Sequence, residues 1–434
     1  MKRTVIDKLH SWRNSNNRKP LILLGARQVG KTWVLKEFGR TAYKSVAYLN
    51  CDNNPNAQEL FSDYNLDRIL RSISALTGVS ILPEETLIIL DEIQEAPNGL
   101  GVLKYFYENK PDFHIAAAGS LLGITLHPGT SFPVGKVDFI QMYPMSFEEF
   151  MIALGKETAL DLLRNRQWDS IRDLHNFYED CLRQYYFVGG MPEAVASYIE
   201  YKDVWKVRQV QKSILNAYQN DISKHVSTEQ VKRINMVWNA IPSQLVKENK
   251  KFIYSVLKKG ARANDFELAI QWLCDAGLIY KVSRVSKPVL PLKFYEDSSA
   301  FKLFLLDCGL LAALAETPPG QMLMGNNAFV EFKGSFTENY VLQQLKTVEN
   351  IGVYYFTNER STLEIDFVVQ HNARIIPVEV KAEVNLRAKS LRQFVDNHPE
   401  LKALRFSMKG YDRQDWMENV PLYAVAEYFN DNKR

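Results

Sequence analysis

The chain alternates between short, wholly apolar runs and longer stretches with apolar residues at helical spacing. PLILLG (20–25), TLIILD (86–91) and PDFHIAAAG (111–119) are strand-sized runs of the kind buried on both faces of a parallel sheet. Between the first two, KTWVLKEF reads as a helix. Farther on, ANDFELAIQWLCDAG sets Phe266, Ala269, Ile270 and Leu273 on one helical stripe, with Asn264 or Asp265 to cap it and Gly277 to end it. LIYKVSRV then has strand character, and Ser286-Lys287-Pro288 reads as a turn. Near the C-terminus, FTENYVLQQL (336–345) is an amphipathic helix with Phe336, Tyr340 and Val341 on its apolar side. Two strands around a turn (354–370) follow, and then RIIPVEVKAE (374–383). In that last strand Ile376, Val378 and Val380 face one way and Glu379 and Lys381 the other.

Bulk properties narrow the class. With 434 residues, the length suggests about three domains. No apolar run approaches the roughly 18 residues needed to span a bilayer, and the basic N-terminus lacks the apolar segment of a secretory signal. Cys51, Cys181, Cys274 and Cys308 stand far apart, without CxxC or a histidine at ligand spacing. They read as reduced core residues, so a cytoplasmic protein without a membrane partner is expected. Charge is uneven: residues 224–293 hold thirteen Lys or Arg against five Asp or Glu, a balance of +8 within a chain of net charge +3. Such a basic module suits a nucleic-acid-facing surface, and equally a Lys-laden solvated helical face.

The candidate chemistry begins at Gly25-Ala26-Arg27-Gln28-Val29-Gly30-Lys31-Thr32, a complete GxxxxGK[ST] with a strand before it and a helix after it. Glycines let the backbone N–H groups and the helix N-terminus face phosphates; Lys31 supplies a point charge, and the Thr32 hydroxyl is a magnesium ligand. This pattern predicts ATP and Mg²⁺ as cofactors. A second apolar strand ends in Asp91 and Glu92. Asp91 is expected to hold Mg²⁺ through water, and Glu92 to orient the attacking water as a general base. The third strand ends at Gly119-Ser120, where Ser120 either senses the γ-phosphate or caps the next helix.

GARQVGKT, LIILDEIQ, AAAGS and VGKVDFIQMYPMSFEEF together resemble the prokaryotic AAA-type ATPases related to the archaeal ATPase group. YYFVGGMPEAV (185–195) is similar to the glycine-rich turn that this family carries in a helical lid after its nucleotide core. The resemblance implies a ring-forming homo-oligomer. One departure stands out: the family has Gly-Arg where this chain has Gly135-Lys136. Lysine lacks the planar fork of arginine, so no arginine finger is assigned. Arg27 and Arg183 are the alternatives, and the oligomeric state stays open.

The helix running into a basic hairpin, 263–288, has the layout of a winged helix-turn-helix. In that reading the helix enters a major groove and Lys281, Arg284 and Lys287 touch DNA phosphates. Winged helices also serve as docking modules, so a protein partner is the other expectation.

In the C-terminal segment the order Glu338, Asp366, Glu379-x-Lys381 matches the restriction-endonuclease-like core, which carries Asp on one strand and (D/E)xK on the next. Neighbouring strands lie about 5 Å apart, so Asp366 and Glu379 can converge on one Mg²⁺ while Lys381 polarises a water. The plain alternative is an ion pair on a sheet edge. The resemblance extends to SAFKLFLLDCGLLAAL (299–314), similar to the linker into that domain in the same ATPases.

The expected architecture is therefore α/β: a P-loop AAA-type core (1–155), a helical lid (156–223), a winged helix (224–295) and a restriction-endonuclease-like domain (296–434). Two functions fit it. One is an ATPase coupled to DNA binding and metal-dependent cleavage. The other is an ATP-gated DNA- or protein-binding regulator whose nuclease-like fold is silent.

Overall fold

A computed structural model describes all residues except 53, 120–132, 134, 247–250, 320–329, 359–362, 383–388 and 431–434. The chain falls into two compact units. Met1–Tyr143 with Asp275–Leu278 form the first; Pro144–Cys274 with Ile279–Arg434 form the second.

The first unit is built on a five-stranded sheet in the order β2-β3-β4-β1-β5. Its strands are β1 (Leu21–Leu24), β2 (Ser45–Asn50), β3 (Thr86–Asp91), β4 (His114–Ala118) and β5 (Asp138–Gln141), all paired in parallel. Every residue of β3 and β4 is buried, which explains their unbroken apolar sequence. Helices α1 (Val5–Arg13), α2 (Lys31–Ala42), α3 (Pro55–Leu60), α4 (Leu66–Thr77) and α5 (Gly99–Asn109) accompany the sheet. Helix α2 buries Val34, Leu35 and Phe38, and its Gly39 lies so near β2 that a Cβ there would sit 2.6 Å from Val46.

In the second unit the helices expected as a lid group with the C-terminal sheet. After α6 (Phe147–Ala153), expected with the nucleotide core but lying in this unit, they are α7 (Glu157–Arg164), α8 (Trp168–Asp173), α9 (His175–Val188), α10 (Pro192–Tyr201) and α11 (Val204–His225). Next come α12 (Thr228–Leu245), α13 (Tyr254–Leu257), α14 (Ala263–Asp275) and an antiparallel hairpin of β6 (Ile279–Val285) and β7 (Glu296–Leu305). The chain continues through α15 (Cys308–Leu314), α16 (Val330–Leu345), β8 (Ile351–Thr357), β9 (Glu364–His371) and β10 (Arg374–Lys381). It ends with α17 (Lys389–Asn397), β11 (Ala403–Ser407), β12 (Asp412–Arg413), β13 (Met417–Pro421) and α18 (Val425–Phe429).

The hairpin is not a free-standing wing. It forms one edge of an eight-stranded sheet, β12-β13-β11-β10-β9-β8-β6-β7, through an Arg284–Tyr355 bridge. A wholly buried Lys302 on β7 donates to Glu364 on β9 at 2.8 Å and ties hairpin and sheet further. Residues 299–314, expected as a linker, are strand β7 and helix α15.

The glycine-rich turn is fixed by sterics. A Cβ at Gly190 would lie 2.0 Å from the Met145 carbonyl oxygen, and one at Gly189, where φ is +74°, 2.2 Å from Asp307 Oδ1. Such contacts admit only glycine. Asp307 is fully buried and accepts from Gly190 N (2.6 Å), Leu310 N (2.9 Å) and Gln343 Nε2 (3.0 Å). Burial still pushes its carboxyl above the usual range. This buried network joins α9, α15 and α16, so the turn is a structural joint of the second unit.

Candidate functional sites

At the carboxyl end of β1, the segment 25–30 wraps into α2. Gly25 has φ +150°, and a Cβ there would strike the Met142 carbonyl oxygen at 2.4 Å; Gly30 has φ +96°. Both conformations disfavour side chains, and they bend the loop around its own N–H groups. Lys31 donates to the carbonyls of Gly25 (2.8 Å) and Ala26 (2.9 Å). Burial lowers its ammonium to about 8, although Glu92 and Asp91 pull the other way.

Thr32 Oγ1 donates to Asp91 Oδ2 at 2.7 Å, so the hydroxyl and carboxylate expected at one magnesium ion stand side by side. Hard oxygen donors of this kind suit Mg²⁺. When bound, that ion would neutralise charge between phosphate oxygens. Glu92 follows immediately in a left-handed conformation (φ +49°) and accepts from Gln94 Nε2 at 2.6 Å. Ala26, Arg27, Gln28 and Val29 form the loop between the glycines, with Gln28 at φ +65°. Ser120 lies outside the described residues.

Sequence reasoning missed Tyr48. From the neighbouring strand β2 its hydroxyl donates to the same Asp91 Oδ2, at 3.0 Å. Strand pairing brings it there, and no motif marks it. Of the two finger alternatives, Arg183 pairs with Glu179 and Asp180, and Arg27 lies in the loop itself; Lys136, at the position of the family's arginine, pairs with Glu108.

The C-terminal residues also meet. The β9–β10 register, running from Arg374 opposite His371 to Val378 opposite Phe367, brings Asp366 alongside Glu379. Val380 N donates to Asp366 Oδ2 at 2.8 Å, and Lys381 Nζ lies 2.5 Å from Glu379 Oε1. Glu379 is buried; burial and then Asp366 raise its carboxyl above the usual range. Burial pulls the Lys381 ammonium down, but Glu379, Asp366 and Glu338 more than offset this and leave it raised. Glu338 on α16 is buried and acts electrostatically on both partners.

Arg405 is the missed member. It stands on β11 in register with Glu379 and donates to Asn419 at 2.8 Å. A buried arginine inside an apolar strand is the only sequence signal for it. Among the described residues, no three His, Cys, Asp or Glu side chains are arranged to hold a metal ion. Asp366 accepts from a backbone N–H, and Glu379 pairs with Lys381.

The expected DNA contacts divide. Arg284 is turned into an ion pair with Asp297 at 2.6 Å, and its side chain is 14% exposed, which removes it from a phosphate-contact role. Lys281 and Lys287 are exposed. The outward face of α14 carries Asn264, Glu267, Leu268 and Gln271, with no cation among them; Lys258, Lys259 and Arg262 stand exposed just before it.

Family comparison divides the chain in three. Residues 17–151 match an AAA domain, residues 179–321 a domain of unknown function (DUF8612) and residues 333–425 another (DUF4143). An uncharacterized protein of Methanocaldococcus jannaschii is 26% identical over 198 residues, which are 42% of this chain and 40% of that relative. The match thus spans less than half of the relative's length. A Walker-type ATPase of Pyrococcus abyssi aligns at 16% identity over 71% of this chain and 94% of its own, with a TM-score of 0.45. An Aeropyrum pernix Orc1 protein, solved in complex with DNA, aligns at 12% identity over 74% of this chain and 92% of its own, with a TM-score of 0.29. The N-terminal region is an AAA-type ATPase domain, as its sequence and the family match agree. No helix among the described residues is long and apolar enough to cross a membrane.

Proposed function

We propose that the chain is a magnesium-dependent ATPase whose turnover is coupled to DNA binding by its middle segment. The observation that carries the ATPase half is the convergence of Lys31, Thr32 and Asp91 at the end of a parallel sheet, with Glu92 one residue on. In this reading the loop N–H groups and Lys31 hold the phosphates, and Thr32 and Asp91 hold Mg²⁺. Tyr48 keeps the Asp91 carboxylate oriented, and Glu92 accepts the proton of the attacking water. Lys31→Ala is expected to abolish nucleotide binding, and Glu92→Gln to bind ATP without hydrolysing it. Unchanged steady-state hydrolysis in both variants sinks this reading.

The DNA half draws support from three helices followed by a hairpin, with Phe252 N donating to Phe301 O of β7 at 2.8 Å. Phosphates would meet Lys258, Lys259, Arg262, Lys281 and Lys287; Asn264 and Gln271 on α14 could read adenine edges.

A second reading concerns the C-terminal segment. α16-β8-β9-β10-α17-β11 runs helix, three antiparallel strands, helix, parallel strand, with Asp366 and Glu379 on adjacent strands. This favours a site for phosphodiester cleavage, in which Asp366 and Glu379 act with Lys381. Because Glu379 is held by Lys381, cutting requires that pair to open. Asp366-dependent cleavage of DNA tests it.

A further inference from the structure

A cavity of about 640 Å³ in the second unit belongs to neither site. It opens where β10 begins, at Arg374, five residues before Glu379 along the strand, or about 16 Å of extended chain. Its volume is within the range that encloses a small ligand.

The lining is chemically biased. Arg166, Arg374 and Arg413 contribute three guanidinium groups, and Glu418 is the one carboxylate among the lining residues. That carboxylate is already shared: its Oε2 accepts from the hydroxyls of Tyr411 (3.3 Å) and Tyr428 (3.2 Å), and Arg413 Nε stands 3.7 Å from its Oε1. Guanidinium groups thus outnumber carboxylates in the lining by three to one. Arg166 is pinned, donating to the carbonyls of Glu427 (3.3 Å) and Tyr428 (2.7 Å), so its guanidinium plane is fixed before any ligand arrives. One wall is a flat aromatic step, the Trp168 and Tyr411 rings stacked at 4.3 Å with planes 4° apart.

A guanidinium fork matches phosphate oxygens, and an aromatic face matches a planar base. We propose that this cavity binds a phosphorylated nucleoside, with its phosphate on Arg374 and Arg413 and its base against the Trp168–Tyr411 step. The ligand is a free mononucleotide or the phosphorylated end of a strand, since both present the same group. A neighbouring cavity of about 650 Å³ shares Arg374 and Arg413 and is large enough for a second nucleoside of such a strand.

The test is calorimetric titration of the full chain carrying Lys31→Ala, which silences the P-loop. AMP, GMP, CMP and UMP are compared with a 5′-phosphorylated tetranucleotide and with inorganic phosphate. Saturable binding of at least one nucleotide is expected, weakened at least tenfold by Arg374→Ala with Arg413→Ala and by Trp168→Ala. Arg413→Gln, at an exposed position, serves if the double variant does not fold. A tetranucleotide that binds more than tenfold tighter assigns the strand end; equal affinity assigns the free nucleotide. Absence of binding at millimolar concentration, binding unchanged in the variants, or inorganic phosphate competing as well as a nucleotide would each overturn the proposal.

Discussion

Nucleotide binding should weaken above neutral pH because Lys31 is buried before any phosphate arrives. Its ammonium is lowered to about 8, chiefly by burial, and only partly restored by Glu92 and Asp91. The sign follows from linkage. Above about pH 8 the nucleotide-free protein holds Lys31 neutral, whereas phosphates favour the charged form, so binding must take up a proton. Near pH 7 almost all of Lys31 is charged, and near pH 9 about a tenth is. Affinity should therefore fall about tenfold between those values, or about 1.4 kcal/mol. Calorimetry at both pH values, in buffers of different ionisation enthalpy, reads the affinity and the proton uptake together. Equal affinity with no proton uptake near pH 9 refutes the reasoning, since Lys31 would then be charged regardless of its burial.

Two further outcomes follow from contacts in the second unit. Gly190→Ala places a methyl 2.0 Å from the Met145 carbonyl oxygen and disturbs the 2.6 Å bond from Met145 N to Gly190 O; it should destabilise that unit by about 3 kcal/mol or more, read by thermal unfolding. An unaltered melting temperature would show that the joint yields. Plasmid nicking by the purified chain with Mg²⁺ or Mn²⁺ should vanish in Asp366→Ala; activity that survives the change, or none in the parent chain, removes the cleavage reading.

What the sequence made legible was whatever a local period or a fixed spacing encodes. The runs at 21–24, 86–91 and 114–118 are strands, and the GxxxxGK[ST] spacing lies where strand turns into helix. Asp366, Glu379 and Lys381 meet because period-two alternation and a short turn set their register, and Glu338 joins them electrostatically from helix α16. The contributions of partners distant in sequence were not legible. Tyr48, Arg405 and Asp307 take their roles from strand pairing and helix packing across many residues. Arg284 looked like a phosphate contact because its partner Asp297 lies on the far side of the hairpin. Likewise the glycine-rich turn carries no local sign of the Asp307 carboxylate that it packs against.

The central claim is that ATP turnover and DNA binding belong to one machine, and DNA-stimulated hydrolysis tests it most directly. ATP hydrolysis by the full chain would be followed with and without duplex DNA, beside Lys281→Glu with Lys287→Glu, both exposed. The account predicts that DNA changes the rate in the parent chain and that the double variant loses this response, its basal rate unchanged. A rate indifferent to DNA in the parent chain, at concentrations that saturate binding, would contradict it.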